Sequence, residues 1–220
     1  MTKQIKITLV LLVFTVFCIG MVVARMYRSY TLGYIFLIWN LVLAWVPYLL
    51  SLEFVSYDIR RQKLSSIGIL FIWILFLPNG PYIITDLIHL RLREPIPMWY
   101  DVLLVSTMAW HGLLLTLLSV GNIHHKLQHH FSPMKVWTGL VILFFSSGYG
   151  IYMGRFLRLN SWDFFLHPIS VLHSSVIDII HPFHHTTAVW VTVLIGLILS
   201  FSYTIFYLIA HKSIISHEIT

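Results

Sequence analysis

Two aspartates and two arginines are the residues here whose types and spacing could do chemistry. Asp86 ends the stretch FLPNGPYIITD, and Asp101 ends the tripeptide WYD. Two carboxyls with separated proton affinities can act as acid and base if both reach one reacting atom. Arg155 and Arg158 stand three apart, a spacing that on a helix puts both on one face. Guanidiniums so placed make a fork for a carboxylate or phosphate. Asn79 and Asn160 would orient a ligand, and Trp99, Trp162 and Asp163 complete the candidate set. Plainer readings stand beside these. Asp101 and Asp163 suit helix N-termini. The arginines can end in salt bridges to Asp86, Asp101 or Asp163, or reach toward lipid headgroups.

The chain has 13 histidines, which raises the question of a metal. His124, His125, His129 and His130 form one cluster, and on a helix His125 and His129 would have the i,i+4 spacing of a shared ligand pair. His181, His184 and His185 form another, on the opposite side of the membrane by the topology below. Neither contains an acid in the manner of H-E-x-x-H, so the expectation is a weakly charged interfacial loop with no metal. His111 is expected to be a satisfied core group, with a proton carrier as the rival reading. The single cysteine, Cys18, permits no intramolecular disulfide and no thiolate site from one chain. Nothing in the sequence points to a particular cofactor.

The elements that must position these residues follow from composition. Of 220 residues, 58% are hydrophobic and 10% charged, too few polar groups to cover a water-soluble globule. The alternative is a surface that faces lipid. The net charge of +6 is scattered through short loops with no basic stripe, which excludes a nucleic-acid footprint. Six apolar runs, at about 7–24, 31–52, 66–90, 102–120, 136–157 and 187–210, are each long enough at ~1.5 Å per residue to cross ~30 Å of hydrocarbon. The fold class is therefore all-α, a polytopic helical membrane protein with a single domain over 1–220. The first run reads as a retained transmembrane helix, since no small-x-small cleavage site follows it. Between the last two runs, Ser170, Ser174, Asp178 and His181 face away from Ile169, Leu172 and Val176. That pattern predicts an amphipathic interfacial helix between Pro168 and Pro182.

Pro78 and Pro81 break the third run, and freed carbonyls at that depth require a cavity or a tight helix junction. Ser146, Gly150 and Gly154 recur at four-residue intervals, a spacing that lets another helix approach. Spans three and five run in the same direction, and span four starts where three ends. The motifs around Asp86, Asp101 and Arg155–Asp163 are therefore expected at one membrane face. Lys and Arg number eight on the side of the termini and six on the other, which weakly favours cytoplasmic termini.

Several motifs together resemble a known family. In order they are W-N-x-x-L-A-W-x-P (Trp39 to Pro47), F-L-P-N-x-P-Y-I-x-T-D (Phe76 to Asp86), W-Y-D (Trp99 to Asp101) and G-R-F-x-R-x-N-S-W-D (Gly154 to Asp163). They resemble the bacterial membrane proteins catalogued as domain of unknown function 1361. The likeness covers the chain from about Trp39 to the last span and leaves out the first span and the histidine loops. It implies a polytopic protein of a bacterial cytoplasmic membrane and no particular reaction. Three functions fit the sequence. One is a site for an anionic or amphiphilic ligand, such as a lipid or envelope precursor, with membrane lipids as its setting. The second is a small transporter or channel gated at the broken third span. The third is an assembly partner or scaffold with no ligand.

Overall fold

The computed structural model describes residues 3–59, 61–91, 94–159, 161–166, 168–169 and 186–218, with side chains as far as Ala210 in the last stretch. Every regular element there is helical: α1 (Lys3–Ser29), α2 (Phe36–Ser56), α3 (Lys63–Phe76), α4 (Asn79–Tyr82), a 3₁₀ helix (Ile83–His89), α5 (Met98–Gln128), α6 (Pro133–Phe156), α7 (Asp163–Leu166) and α8 (Thr186–Glu218). Six helical segments are long and apolar enough to cross a membrane, the third being α3, α4 and the 3₁₀ helix in succession. The all-α, six-span expectation is met. Arg60, Arg93, Asn160, His181, His184, His185 and all of the expected amphipathic helix beyond Ile169 lie outside the described residues.

The chain divides into two compact units, Met1–Ser119 and Val120–Thr220. In the first unit, α1 buries Leu11, Cys18, Val22 and Arg25, which fall seven, four and three residues apart along one helical stripe. Val10, Val13, Val16 and Phe17 on its other faces are exposed. α2 answers with Leu37, Leu41, Ala44 and Tyr48, and Ile83, Leu104, Val105 and Met108 complete the core between them.

The break in the third span is a helix junction. Pro81 has no N–H for the Leu77 carbonyl, and the Gly80 N–H turns to that oxygen instead, at 3.4 Å. This leaves the Phe76 carbonyl, which takes the Asn79 side-chain amide at 2.8 Å. At this junction Gly80 lies against α5. A methyl group on Gly80 would collide with the Thr116 hydroxyl and come within 2.8 Å of the Gly112 carbonyl oxygen. One on Gly112 would lie 2.5 Å from the Gly80 oxygen. Of the two alternatives that the prolines allow, a cavity or close packing, the backbone contact realises close packing.

In the second unit, α6 and α8 pack along a seam of small residues. Ser146, the first residue of the expected row, lies outside this seam. Ser146 is exposed, whereas Ser147 and Gly148 are buried. A methyl on Gly148 would meet the Thr192 carbonyl oxygen at 2.6 Å, and one on Gly196 would meet the Phe145 ring at 2.8 Å. Small size at four-residue intervals marks a possible groove, but the rotation of the helix decides which small residues face a neighbour.

A second correction concerns the histidines around residue 125. No proline or glycine interrupts the chain between Gly121 and Pro133, so α5 continues through His124 and His125 to Gln128. The first half of the expected interfacial loop is thus the last turn of a helix, and residues 129–132 form the connection to α6.

Candidate functional site

At one end of the first unit two polar pairs are built from four elements. The first joins α1 to α5. Arg25 donates from Nε to one oxygen of Asp101 at 2.7 Å and from Nη2 to the other at 3.0 Å. Both side chains are 1% exposed, and the guanidinium carbon lies 3.9 Å from the centre of the Tyr34 ring. Its remaining nitrogen, Nη1, is buried without a hydrogen-bond partner among the described residues. Asp101 stands in the first turn of α5, so the expected helix-terminus setting is present as well. Both carboxylate oxygens are thus engaged by one guanidinium in a buried ion pair, an arrangement whose structural weight depends on both partners being present.

The second pair joins α2 to the 3₁₀ helix. Asp86 accepts from the Asn40 amide nitrogen at 2.8 Å and is 1% exposed. A 3₁₀ helix eclipses side chains three apart, and this places Asp86 on the same inward side as the buried Ile83. Ring contacts run between the two pairs: Tyr34 stacks on Phe36 at 5.9 Å, and Phe36 meets the edge of His89 at 5.6 Å. Two motifs distant in sequence, Trp39–Asn40 and the stretch ending at Asp86, thus meet through one hydrogen bond. Trp99 stands apart. It is 63% exposed, an orientation that suits a membrane-interface belt. Asn79, as described, caps the broken helix through the Phe76 carbonyl.

Deeper in the same unit lies His111, fully buried. The Thr15 hydroxyl gives its proton to the Leu11 carbonyl and accepts the Trp45 indole N–H at 3.0 Å. Its 2.8 Å contact with Nε2 of His111 therefore needs the ring nitrogen as donor. The proton sits on Nε2, and Nδ1 is a buried acceptor with no partner among the described residues. The expected satisfied core histidine is satisfied on one side only.

In the second unit, Arg155 lies in the last turn of α6 and is half-buried. Arg158 does not share its helical face. The helix ends at Phe156, and Arg158 takes the left-handed conformation, with φ 58°. The N–H of Leu159 reaches back to the Met153 carbonyl at 3.2 Å, a helix ending that usually recruits glycine. Trp162 and Asp163 follow at intermediate exposure, Asp163 opening α7, where a carboxylate suits the N-terminus. A buried polar cluster also occupies this unit. His124 places Nδ1 2.6 Å from the Tyr203 hydroxyl and Nε2 2.8 Å from the Gln128 amide nitrogen.

The sequence profile of one family, described as protein of unknown function (DUF1361), matches residues 39–210. The chain belongs to that family. No curated protein and no solved structure matches it. The DUF1361 match contains Asn40, Asp86, Asp101 and Arg155 to Asp163, while Arg25 lies ahead of it. Within the matched region, the Trp39–Asn40 motif and the Asp86 motif are joined by the Asn40–Asp86 hydrogen bond. Sequence reasoning missed Arg25 and Asn40. Arg25 reads as loop charge in the sequence, and only the rotation of α1 reveals that it continues the Leu11–Cys18–Val22 stripe.

Proposed function

We propose that this DUF1361 protein binds an amphiphile bearing an anionic group, in a bacterial cytoplasmic membrane, with both termini cytoplasmic. Arg155 and Arg158 hold the anion, and Asn160, Trp162 and Asp163 are the neighbouring candidates that orient it. The observation that carries this reading is the conformation of Arg158. A residue with a side chain costs roughly 1 kcal/mol in the left-handed region relative to glycine, yet an exposed arginine holds φ 58° just past the end of a membrane-length helix. In this reading Arg158 offers its cation at the headgroup level, three residues beyond the half-buried Arg155. Asp86, buried and held by Asn40, is the candidate for proton transfer. Asp101 supports the first unit through Arg25 and takes no proton in this reading.

Native mass spectrometry of the purified protein tests it, with equal amounts of phosphatidylglycerol and phosphatidylcholine offered in detergent. Wild type should retain the anionic lipid several-fold over the zwitterionic one. The R155A/R158A variant should lose that preference while still giving a cooperative melt, and R155K should keep part of it. Equal retention of the two lipids by wild type would sink the proposal.

A transporter is the second reading, favoured by the unpartnered Nδ1 of His111 inside a span. It predicts proton uptake by proteoliposomes that H111Q abolishes. The close Gly80–Gly112 packing argues against the broken span as its gate.

A further inference from the structure

The end of α5 carries a pair of histidines that the lipid-binding reading does not use. His125 and His129 are both exposed. Their ring centres are 4.9 Å apart and the planes nearly perpendicular, at 84°. A metal ion about 2.0–2.1 Å from one nitrogen of each ring, with each ring centre ~1.2 Å further back, sets the centres ~4.6–5.3 Å apart for N–metal–N angles of about 90–109°. The observed spacing falls within that window with no ion required to create it.

The turn that presents the pair is fixed from its other side. His124 is buried, and its neighbours are aromatic: the centres of Trp137 and Tyr207 each lie 5.0 Å from its ring. An amide nitrogen only donates, so the Gln128 contact makes Nε2 of His124 an acceptor. The proton then sits on Nδ1 and goes to the Tyr203 hydroxyl. Both nitrogens of His124 are thereby engaged, and Gln128 also reaches the Tyr207 hydroxyl at 3.5 Å. This network ties residues 124 and 128 to α8. His125 and His129, each one residue further on, project from an anchored turn. A site whose supporting side chains are already bonded loses little freedom when it closes on a ligand.

We infer that His125 and His129 form a two-histidine site for a late divalent transition metal such as Zn²⁺, Cu²⁺ or Ni²⁺. Imidazole ligands with no carboxylate favour these ions over Mg²⁺ or Ca²⁺. Two protein ligands leave coordination positions open. Among the described residues no third His, Cys, Asp or Glu is grouped with the pair, so water fills the remaining positions. His124 contributes none, since both its nitrogens are taken.

Isothermal titration in detergent tests this, using protein purified without a polyhistidine tag. Zn²⁺ and Ni²⁺ should bind one ion per chain at pH 7.5, and Mg²⁺ should not. H125A and H129A should each weaken Zn²⁺ at least tenfold, with an unchanged melting temperature because both side chains are exposed. An H181A/H184A/H185A variant should bind as wild type does. Full binding by the H125A/H129A double variant, or its loss in the H181A/H184A/H185A variant, would overturn the assignment. The readout involves no lipid, so its failure leaves the anionic-amphiphile reading untouched.

Discussion

Arg25 illustrates how much one charge can depend on a single partner. Taking a guanidinium and a carboxylate out of water costs several kcal/mol each, and their mutual attraction repays this only when the geometry is good. Here it is bidentate, with the Tyr34 ring against the cation. Removing one partner strands the other. Arg25→Ala should therefore destabilise the protein by about 3–5 kcal/mol, measured as loss of melting temperature in detergent. Asp101→Ala should cost a similar amount. The double variant R25M/D101L, which removes both charges and keeps the volume, should recover most of the loss. If R25A alone melts like wild type, the pair carries no structural weight, and Asp101 returns to the list of candidate acids. Nothing in a single sequence announces this partnership. Arg25 sits among Met26, Tyr27 and Arg28 in what reads as loop charge, and only the rotation of α1 shows that it continues the buried stripe.

At the scale of the element, the third span shows what the sequence discloses and what it withholds. That Pro78 and Pro81 interrupt a helix follows from their missing donors alone. That the break packs on α5 depends on Gly112, thirty-two residues away, and glycine in an apolar helix has no distinctive signature. The consequence is a contrast between glycines of similar appearance. Gly112→Ala would put a methyl 2.5 Å from the Gly80 oxygen, and overpacking of this kind costs about 1–3 kcal/mol. Gly68, in α3, has open space where its side chain would be, and replacing a mid-helix glycine by alanine gains up to ~1 kcal/mol. Thermal melts should thus move in opposite directions for G112A and G68A. Equal shifts would mean that the two backbones do not touch. The same limit explains why Ser146 lies outside the seam on α6. Periodicity identified a row of small residues but could not choose between Ser146–Gly150 and Ser147–Gly148, because a helix that is apolar all round leaves its rotation unspecified.

For the whole molecule, span number and sequence order were legible because the cost of unsatisfied backbone in hydrocarbon leaves few alternatives to closed helices. The segments that the sequence delimits at about 7–24 and 102–120 lie inside α1 (Lys3–Ser29) and α5 (Met98–Gln128), since the polar ends of a helix carry no hydropathy signal. Six crossings impose an alternation of the connecting loops that is independent of which membrane holds the protein. Residues Thr31 and Glu94 fall in the first and third connections, and Gln62 and Ser132 in the second and fourth. All four are exposed, and the sole cysteine, Cys18, is buried. In a Cys18→Ala background, single cysteines at 31 and 94 should react with a membrane-impermeant maleimide from one side, and those at 62 and 132 from the other. With cytoplasmic termini, as proposed above, the second pair should react from the cytoplasmic side. Labelling of 62 and 94 from the same side would mean that the span interrupted by Pro78 and Pro81 turns back within the membrane. The Asp86 site would then lie on the opposite face from the one that the order of the spans gives it.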